Sequence, residues 1–281
     1  MSAAEPLRPR VFLARVDDYE PARIRAAVAE GVDFVGSFPT GNVVAKADWS
    51  YAHRRLGTAA YTRPELVKGA LDSLLTRAPD LFLVFAGTAD WGRSARRMAG
   101  KAWGNSPDFR RHGFLALPRL FRGRVSICPT DEARYYRYQL SVGRRMSSEE
   151  RRGVDPIEQA CRYWDRVTTG WELYHADGVV LFPKLKSSHL VHGLGGAVAL
   201  QGSGFLRGSD LLDGHDQHHS RRLVDLLELT DPDLIVTDGV EVGLGGSPQT
   251  QAGHRLGAVL VANNAVAHDV VCAHLLGLDP R

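Results

Sequence analysis

The order of apolar and polar residues predicts a chain in which strands and helices alternate. Short apolar runs predict strands over residues 11–16, 43–45 (ending at Lys46), 81–85, 124–128, 178–183, 233–238 and 258–262. Apolar residues at helical spacing predict helices over 21–31, 62–76, 93–102, 155–168, 221–229 and 265–276. Because parallel strands need long crossover connections, this order predicts an α/β fold with a mixed, mostly parallel sheet covered by helices.

Three residues are expected to define helix ends. The hydroxyl of Thr62 is placed to cap the helix over 62–76. Gly31 and Gly277 are placed to end the helices that precede them, because glycine readily adopts the left-handed conformation found there.

The length and composition indicate an ordinary folded protein. The chain has 281 residues, of which 44% are hydrophobic and 24% are charged. We expect a single compact unit over 1–281, with two α/β lobes (11–150 and 151–281) and the site between them. The sequence leaves the oligomeric state open, a homo-oligomer included.

Cysteine content and hydropathy exclude several classes of protein. The three cysteines lie far apart, which argues against a disulfide framework and an iron–sulfur cluster. No window reaches the roughly twenty apolar residues that span a bilayer. Residues 1–10 lack the apolar core of a signal peptide. We therefore expect no membrane partner and a cytoplasmic location.

Basic residues concentrate in one middle segment, although the formal net charge is only +3. They are Arg93, Arg96, Arg97, Lys101, Arg110, Arg111, Arg119, Arg122 and Arg124. Contact with nucleic acid through 93–124 is one reading, and a solvated face of arginine-rich helices is the other. The modest net charge favours the solvated face.

Two lysines follow the predicted strand over 178–183. Lys184 and Lys186 lie on the same side of an extended chain. Ligands of open α/β sheets bind beyond the carboxyl ends of strands, where two ammonium groups attract a carboxylate or phosphate. Lys184 is therefore a catalytic candidate and Lys186 a substrate-binding candidate. The alternative is a solvated loop with two ordinary lysines.

Five of the eleven histidines fall close together in the second half of the chain: His189, His192, His215, His218 and His219. His189 and His215 are candidates for proton transfer, and His192 for substrate binding. The spacing of His215 and His219 would let one helix face hold a divalent metal ion, with iron, zinc and nickel as candidates. Exposure to solvent, a helix cap, or anion binding without metal are the alternatives.

A pair of carboxylates follows the strand over 233–238. Asp238 is a catalytic candidate and Glu241 a substrate-binding candidate, whereas the alternative is a turn in which Asp238 bonds its own backbone. Glycine-rich stretches at 193–196 and 202–204 would let backbone amides approach an anion. The loose glycine motif at 243–248 lacks its last glycine and opens no helix, so no nucleotide cofactor is indicated.

In the second half, the order of these motifs resembles the bacterial and archaeal family called domain of unknown function 362. The likeness lies in residues 178–189 (GVVLFPKLKSSH), 221–226 (RRLVDL), 231–239 (DPDLIVTDG) with 245–248 (GGSP), and 257–280. A weaker likeness at 43–46 (VVAK) and 62–67 (TRPELV) extends it to about three quarters of the chain and implies that Lys46 reaches the site.

The chain departs from the family pattern at three places. Lys46 is followed by Ala-Asp where the family has Pro-Asn. Residues 197–201 (AVALQ) stand where the family has a Lys-Asn pair, and ferredoxin-like cysteine runs are absent. The resemblance therefore implies a stand-alone member without an iron–sulfur module, plausible in the biosynthesis of specialised metabolites.

These observations favour an enzyme that acts on a small anionic metabolite by histidine and lysine acid–base chemistry, with or without a metal ion. The reaction class stays open between isomerase, lyase and oxidoreductase. The alternatives are a metal or ligand carrier without catalysis, and a nucleic-acid-associated protein that uses 93–124.

Overall fold

The computed structural model describes residues 8–49, 59–87, 113–129, 135–139, 166–188, 193–202, 219–246 and 250–280. Within these ranges the strands are β1 (Val11–Arg15), β2 (Asn42–Ala47), β3 (Phe82–Gly87), β4 (Val125–Pro129), β5 (Tyr135–Gln139), β6 (Arg166–Gly170), β7 (Gly178–Phe182), β8 (Lys184–Ser188), β9 (Gly193–Gly195), β10 (Leu234–Leu244) and β11 (Ala252–Ala262). The helices are α1 (Pro21–Val35), α2 (Pro64–Arg77), α3 (Leu117–Leu120), α4 (Trp171–Tyr174), α5 (Ala197–Gly202), α6 (His219–Thr230) and α7 (Ala265–Leu275), with a short 3₁₀ helix at Phe114–Ala116.

Nine of the described strands form one sheet in the order β1-β11-β10-β7-β2-β3-β4, with β8 next to β10 and β9 next to β8. The pairs from β10 through β7, β2 and β3 to β4 are parallel, whereas β1–β11, β10–β11 and β8–β9 are antiparallel. The remaining two, β5 and β6, form a separate antiparallel pair. The predicted α/β fold with a mixed, mostly parallel sheet is confirmed.

Strands from both halves of the chain contribute to the large sheet. Strand β2 pairs with β7 over the register Val43–Gly178 to Ala47–Phe182. At the other edge, β1 pairs with β11. The two lobes that we predict over 11–150 and 151–281 therefore share this sheet.

Helices cover both faces of the sheet. Helices α1 and α2 pack on each other, and with the 3₁₀ helix and α3 they bury one apolar cluster on the first face. On the second face, two further clusters involve α5, α6 and α7. No helix in the described part of the chain is both long and apolar enough to cross a membrane.

Several predicted elements are confirmed, but the predicted end of α1 and the predicted cap of α2 are wrong. Helix α1 continues through Gly31, where a Cβ would lie 2.5 Å from Val261 Cγ2, so this glycine permits close packing on β11. The helix ends instead at Gly36, which has φ of 67°. Thr62 does not cap α2, whose N-cap is Arg63 without a side-chain bond.

The remaining differences concern the lengths of the predicted strands and helices. Strands β10 and β11 are each 11 residues long, more than the predictions over 233–238 and 258–262. The helix that we predict over 155–168 is wrong at its end, because residues 166–168 lie in β6. Its earlier part, and the predicted helix over 93–102, lie outside the described residues.

Candidate functional site

The site is organised around a fully buried ion pair between two parallel strands. Strand β8 continues β7 after Pro183 and runs beside β10, which places Lys184 opposite Asp238. Lys184 Nζ lies 3.0 Å from Asp238 Oδ2, and neither side chain is exposed to solvent. The sequence alternatives of a solvated loop at Lys184 and a turn at Asp238 are therefore wrong, since both residues lie within strands.

A tyrosine and a backbone amide complete the bonding of this carboxylate. Tyr19, just before α1, donates its hydroxyl proton to Asp238 Oδ1 at 2.9 Å and accepts from Lys184 Nζ at 3.1 Å. The backbone N–H of Arg63 donates to Asp238 Oδ2 at 3.0 Å. Burial and the negative charge of Asp238 raise the pKa of Tyr19 far above its usual value, so Tyr19 stays protonated as the donor.

A second buried ion pair lies two residues further along β8. Lys186 Nζ lies 2.7 Å from Asp48 Oδ2 and donates to the Ala60 carbonyl at 2.8 Å. Both side chains of the pair are 8% exposed. Lys184 and Lys186 thus project from the same side of β8, as the alternation of an extended strand requires.

The segments that follow β2 and precede α2, which supply Asp48 and Arg63 to the two ion pairs, are hydrogen-bonded to the carboxyl end of β7. Thr62 Oγ1 donates to the Phe182 carbonyl at 2.6 Å and accepts from the Asp48 amide at 3.2 Å. The Asp48 amide also donates to the Phe182 carbonyl at 3.2 Å. Thr62 therefore links the residues after β2, the residues before α2 and the end of β7.

Lys46 lies near the end of β2, the strand adjacent to β7. Its side chain is buried, and Nζ lies 4.8 Å from the centre of the Trp49 ring. Trp49 packs edge-on against Phe114 with ring centres 5.3 Å apart. A third lysine is therefore held in the interior near the strand ends.

More exposed groups surround the buried pairs. The Arg63 side chain lies over the Tyr19 ring and contacts Glu65 at 3.4 Å, with exposures of 30% for Arg63 and 43% for Glu65. Burial raises the pKa of Tyr61; nearby Arg63 lowers it, while Glu65 and Glu241 raise it. Burial alone would lower the pKa of Arg63, but Glu65, together with Tyr61 and Tyr19, outweighs that effect, so Arg63 remains a cation.

The sequence-predicted histidines are not placed with this cluster, because His189, His192, His215 and His218 lie outside the described residues. His219 is the first residue of α6, and its side chain also lies outside the described part. No group of three or more metal-binding side chains suited to a metal ion occurs among the described residues. A metal ion at His215 and His219 stays a prediction.

Four residues of the site were missed by the sequence analysis: Tyr19, Asp48, Tyr61 and Arg63. Asp48 had a weak signal, since it follows a predicted strand that ends in a lysine. The other three lie in predicted connections or at a helix start, and nothing local distinguishes them from surface residues.

The sequence model of the family described as domain of unknown function (DUF362) matches residues 131–274, just over half of the chain. The chain therefore belongs to this family. The matched range covers β8 and β10 with Lys184, Lys186 and Asp238. The search of curated proteins gave no match.

Two solved structures resemble this chain at low sequence identity, and the first of them shares its fold. The lactate racemase apoprotein from Thermoanaerobacterium thermosaccharolyticum is 9% identical, with a TM-score of 0.52 over 93% of this chain and 56% of that one. A Thermotoga maritima protein from a structural genomics programme is 12% identical, with a TM-score of 0.45 over 94% of this chain and 61% of that one. The chain thus spans between half and two thirds of the length of these proteins.

Proposed function

We propose that this protein is an enzyme that acts on a small metabolite bearing a carboxylate or a phosphate. Lys184 and Asp238 perform proton transfer in this proposal, together with His189 and His215. Lys46, Lys186, His192 and Glu241 bind the substrate. The proposal is carried by one observation, the two buried Lys–Asp pairs side by side at the carboxyl end of the sheet.

Buried charges at this position support a functional role. A buried ion pair contributes little to stability, because desolvation of the two charges offsets their attraction. Well-packed apolar side chains would stabilise the same space as well or better. Two such pairs, next to each other at the ends of β2 and β7, therefore indicate that the charges themselves are used.

The balance of charge supports an anionic substrate. Among the described residues, the buried charged side chains near these strand ends are three lysines (Lys46, Lys184 and Lys186) and two aspartates (Asp48 and Asp238). The partly exposed cation Arg63 is offset by Glu65, which contacts it at 3.4 Å. The excess of positive charge therefore lies among the buried groups, where it would attract an anion.

The shared fold supports small carboxylates as the first compounds to test. The lactate racemase of the same fold is named for a substrate that is a small 2-hydroxy carboxylate. The Lys184–Tyr19–Asp238 group would supply both a proton donor and a proton acceptor within hydrogen-bond distance of one another.

Ligand binding is tested by thermal unfolding with a panel of 2-hydroxy carboxylates, 2-oxo carboxylates and phosphate monoesters. A ligand present at a hundred times its Kd stabilises the folded state by about 2.7 kcal/mol, which gives a clear rise in Tm. The variants are Lys184→Met/Asp238→Leu and Lys186→Met/Asp48→Leu, each of which removes both charges of a buried pair at once. Lys68→Met, on α2, is the matched control.

We expect the control to keep the rise in Tm and both double variants to lose it. Retention of the full rise by both double variants would refute the assignment of the site. Turnover of the binding compounds is followed by NMR in D₂O, which detects isomerisation, elimination and exchange of carbon-bound hydrogen. Binding without any turnover would favour the carrier function over the enzyme.

The nucleic-acid alternative concerns three arginines of the described residues, Arg119, Arg122 and Arg124. Arg124 Nη1 donates to the Leu75 carbonyl at 3.0 Å and to the Pro79 carbonyl at 3.2 Å, so this guanidinium joins β4 to the end of α2. Arg119 and Arg122 are exposed, and 93–112 lie outside the described residues. Binding of a nonspecific oligonucleotide that weakens steeply with salt would support this alternative.

A further inference from the structure

A buried histidine on the opposite face of β10 forms a second polar cluster. His268, on α7, is completely buried; its Nε2 lies 2.6 Å from Thr237 Oγ1 and 3.3 Å from Cys272 Sγ. Its Nδ1 lies 2.7 Å from Asp269 Oδ1. Thr237 immediately precedes Asp238, so one strand carries a residue of each cluster on its two faces.

Asp269 connects this histidine to the start of α5. Its Oδ1 accepts from the Ala197 amide at 2.7 Å, and its Oδ2 accepts from the Val198 amide at 3.0 Å. These amides have no partner within the helix, so the carboxylate caps α5 from another element. Position 196 is closed to any larger residue, because a Cβ there would overlap Asp269 Oδ1.

The capped turn lies directly against a lysine of the site. Gly195 is the register partner of Lys186 in the β8–β9 pair. A Cβ at Gly195 would lie 3.0 Å from Lys186 Cγ and 3.2 Å from its Cε, so the backbone of β9 covers the lysine stem. In the described sheet β9 has three residues and pairs only with β8, so its own hydrogen bonds hold it weakly.

We infer that His268 is a positioning residue, which holds Asp269 on the start of α5 and thereby keeps the Gly195–Gly196 turn closed over Lys186. The role requires a proton on Nδ1 for the Asp269 carboxylate, whereas the Thr237 hydroxyl can either donate to Nε2 or accept from it. Burial by itself lowers the pKa of His268, but Cys272 and Asp269 together raise it to about 10, so the imidazolium is the form at neutral pH.

The inference rests on the proposed function only in treating Lys186 as a site residue, and its test needs no substrate. The protein is treated with an N-hydroxysuccinimide ester that acetylates lysines as they become accessible, and the rate at each lysine is measured by mass spectrometry. In His268→Leu and Asp269→Asn we expect acetylation of Lys186 to rise about tenfold, as local opening of β9 becomes easier. Lys184 is held between β8 and β10 and should keep its rate.

His274→Leu, an exposed position on the same helix, is the matched control and should change neither rate. Thr237→Val removes only one hydroxyl, so it provides a test even where His268→Leu fails to fold, and a smaller rise at Lys186 is expected. Amide hydrogen exchange of residues 193–200 should increase in the same variants.

An unchanged rate at Lys186 in the folded variants would overturn the inference, and so would an equal rise at Lys184 and Lys186, which indicates general loosening. A wild-type protein that binds none of the anions would overturn the proposed function and leave the acetylation result in place.

Discussion

Lys184 and Asp238 form an ion pair of 3.0 Å in which neither side chain reaches solvent. Loss of one partner of such a pair strongly destabilises the folded state, whereas replacement of both partners has a much smaller effect. Removing one partner leaves an uncompensated buried charge, which typically costs about 3–5 kcal/mol, whereas replacing both with apolar residues is often neutral. The pair therefore permits a separation of structural from functional roles.

The first prediction uses this separation. Lys184→Met and Asp238→Leu should each lower the free energy of unfolding by about 3–5 kcal/mol, and the double variant should recover most of that loss. Denaturant unfolding of the four proteins measures the coupling. A double variant as unstable as the sum of the single variants would show that the two residues act independently.

The second prediction concerns Tyr19. Tyr19→Phe removes the hydroxyl that donates to Asp238 and accepts from Lys184. A hydrogen bond to a charged group contributes about 1.5–3 kcal/mol, so the free energy of unfolding should fall by that amount. Thermal unfolding at neutral pH measures the effect, and an unchanged Tm would mean that Lys184 and the Arg63 amide satisfy the carboxylate without Tyr19.

The third prediction is a pH dependence of stability that originates at His268. Its pKa is about 10 in the folded protein, compared with the ordinary value of 6.5. A raised pKa means that the folded state binds the proton more tightly. The contribution of His268 to the free energy of unfolding is therefore fully present below pH 6.5 and is lost as the pH rises toward 10.

Replacement of His268 should remove this part of the pH profile. The groups that face the ring are Asp269 and Cys272 on α7 and the neutral Thr237 on β10. In the wild-type protein we expect the free energy of unfolding to fall by an amount on the order of a few kcal/mol between neutral pH and pH 10. The profile should be flatter in His268→Gln and unchanged in His274→Gln, and equal profiles in all three proteins would contradict the assignment.

The fourth prediction concerns a metal ion at His215 and His219. Protein purified without a chelating tag should contain iron, zinc or nickel, measured by elemental analysis. His215→Ala and His219→Ala should each lower the metal content, because the loss of one imidazole ligand weakens binding. His254→Ala, at an exposed histidine on β11, is the control. Equal metal content in all variants would place any bound metal elsewhere.

The sequence alone determined much of the secondary structure and the fold class. Continuous apolar runs were sufficient to predict β7 and the core of β10 and β11, because strands covered on both faces need apolar residues at every position. The sequence also predicts that Lys184 and Lys186 directly follow β7, because this position depends only on where the strand ends along the chain.

The partners of those lysines were decided by the tertiary structure. Tyr19 and Asp238 are 219 residues apart, and Arg63 and Asp238 are 175 apart. Their contacts depend on the order of strands in the sheet, which the local pattern of apolar residues does not specify. His268 was equally hidden, because its burial and its contact with Thr237 arise only when α7 packs against β10.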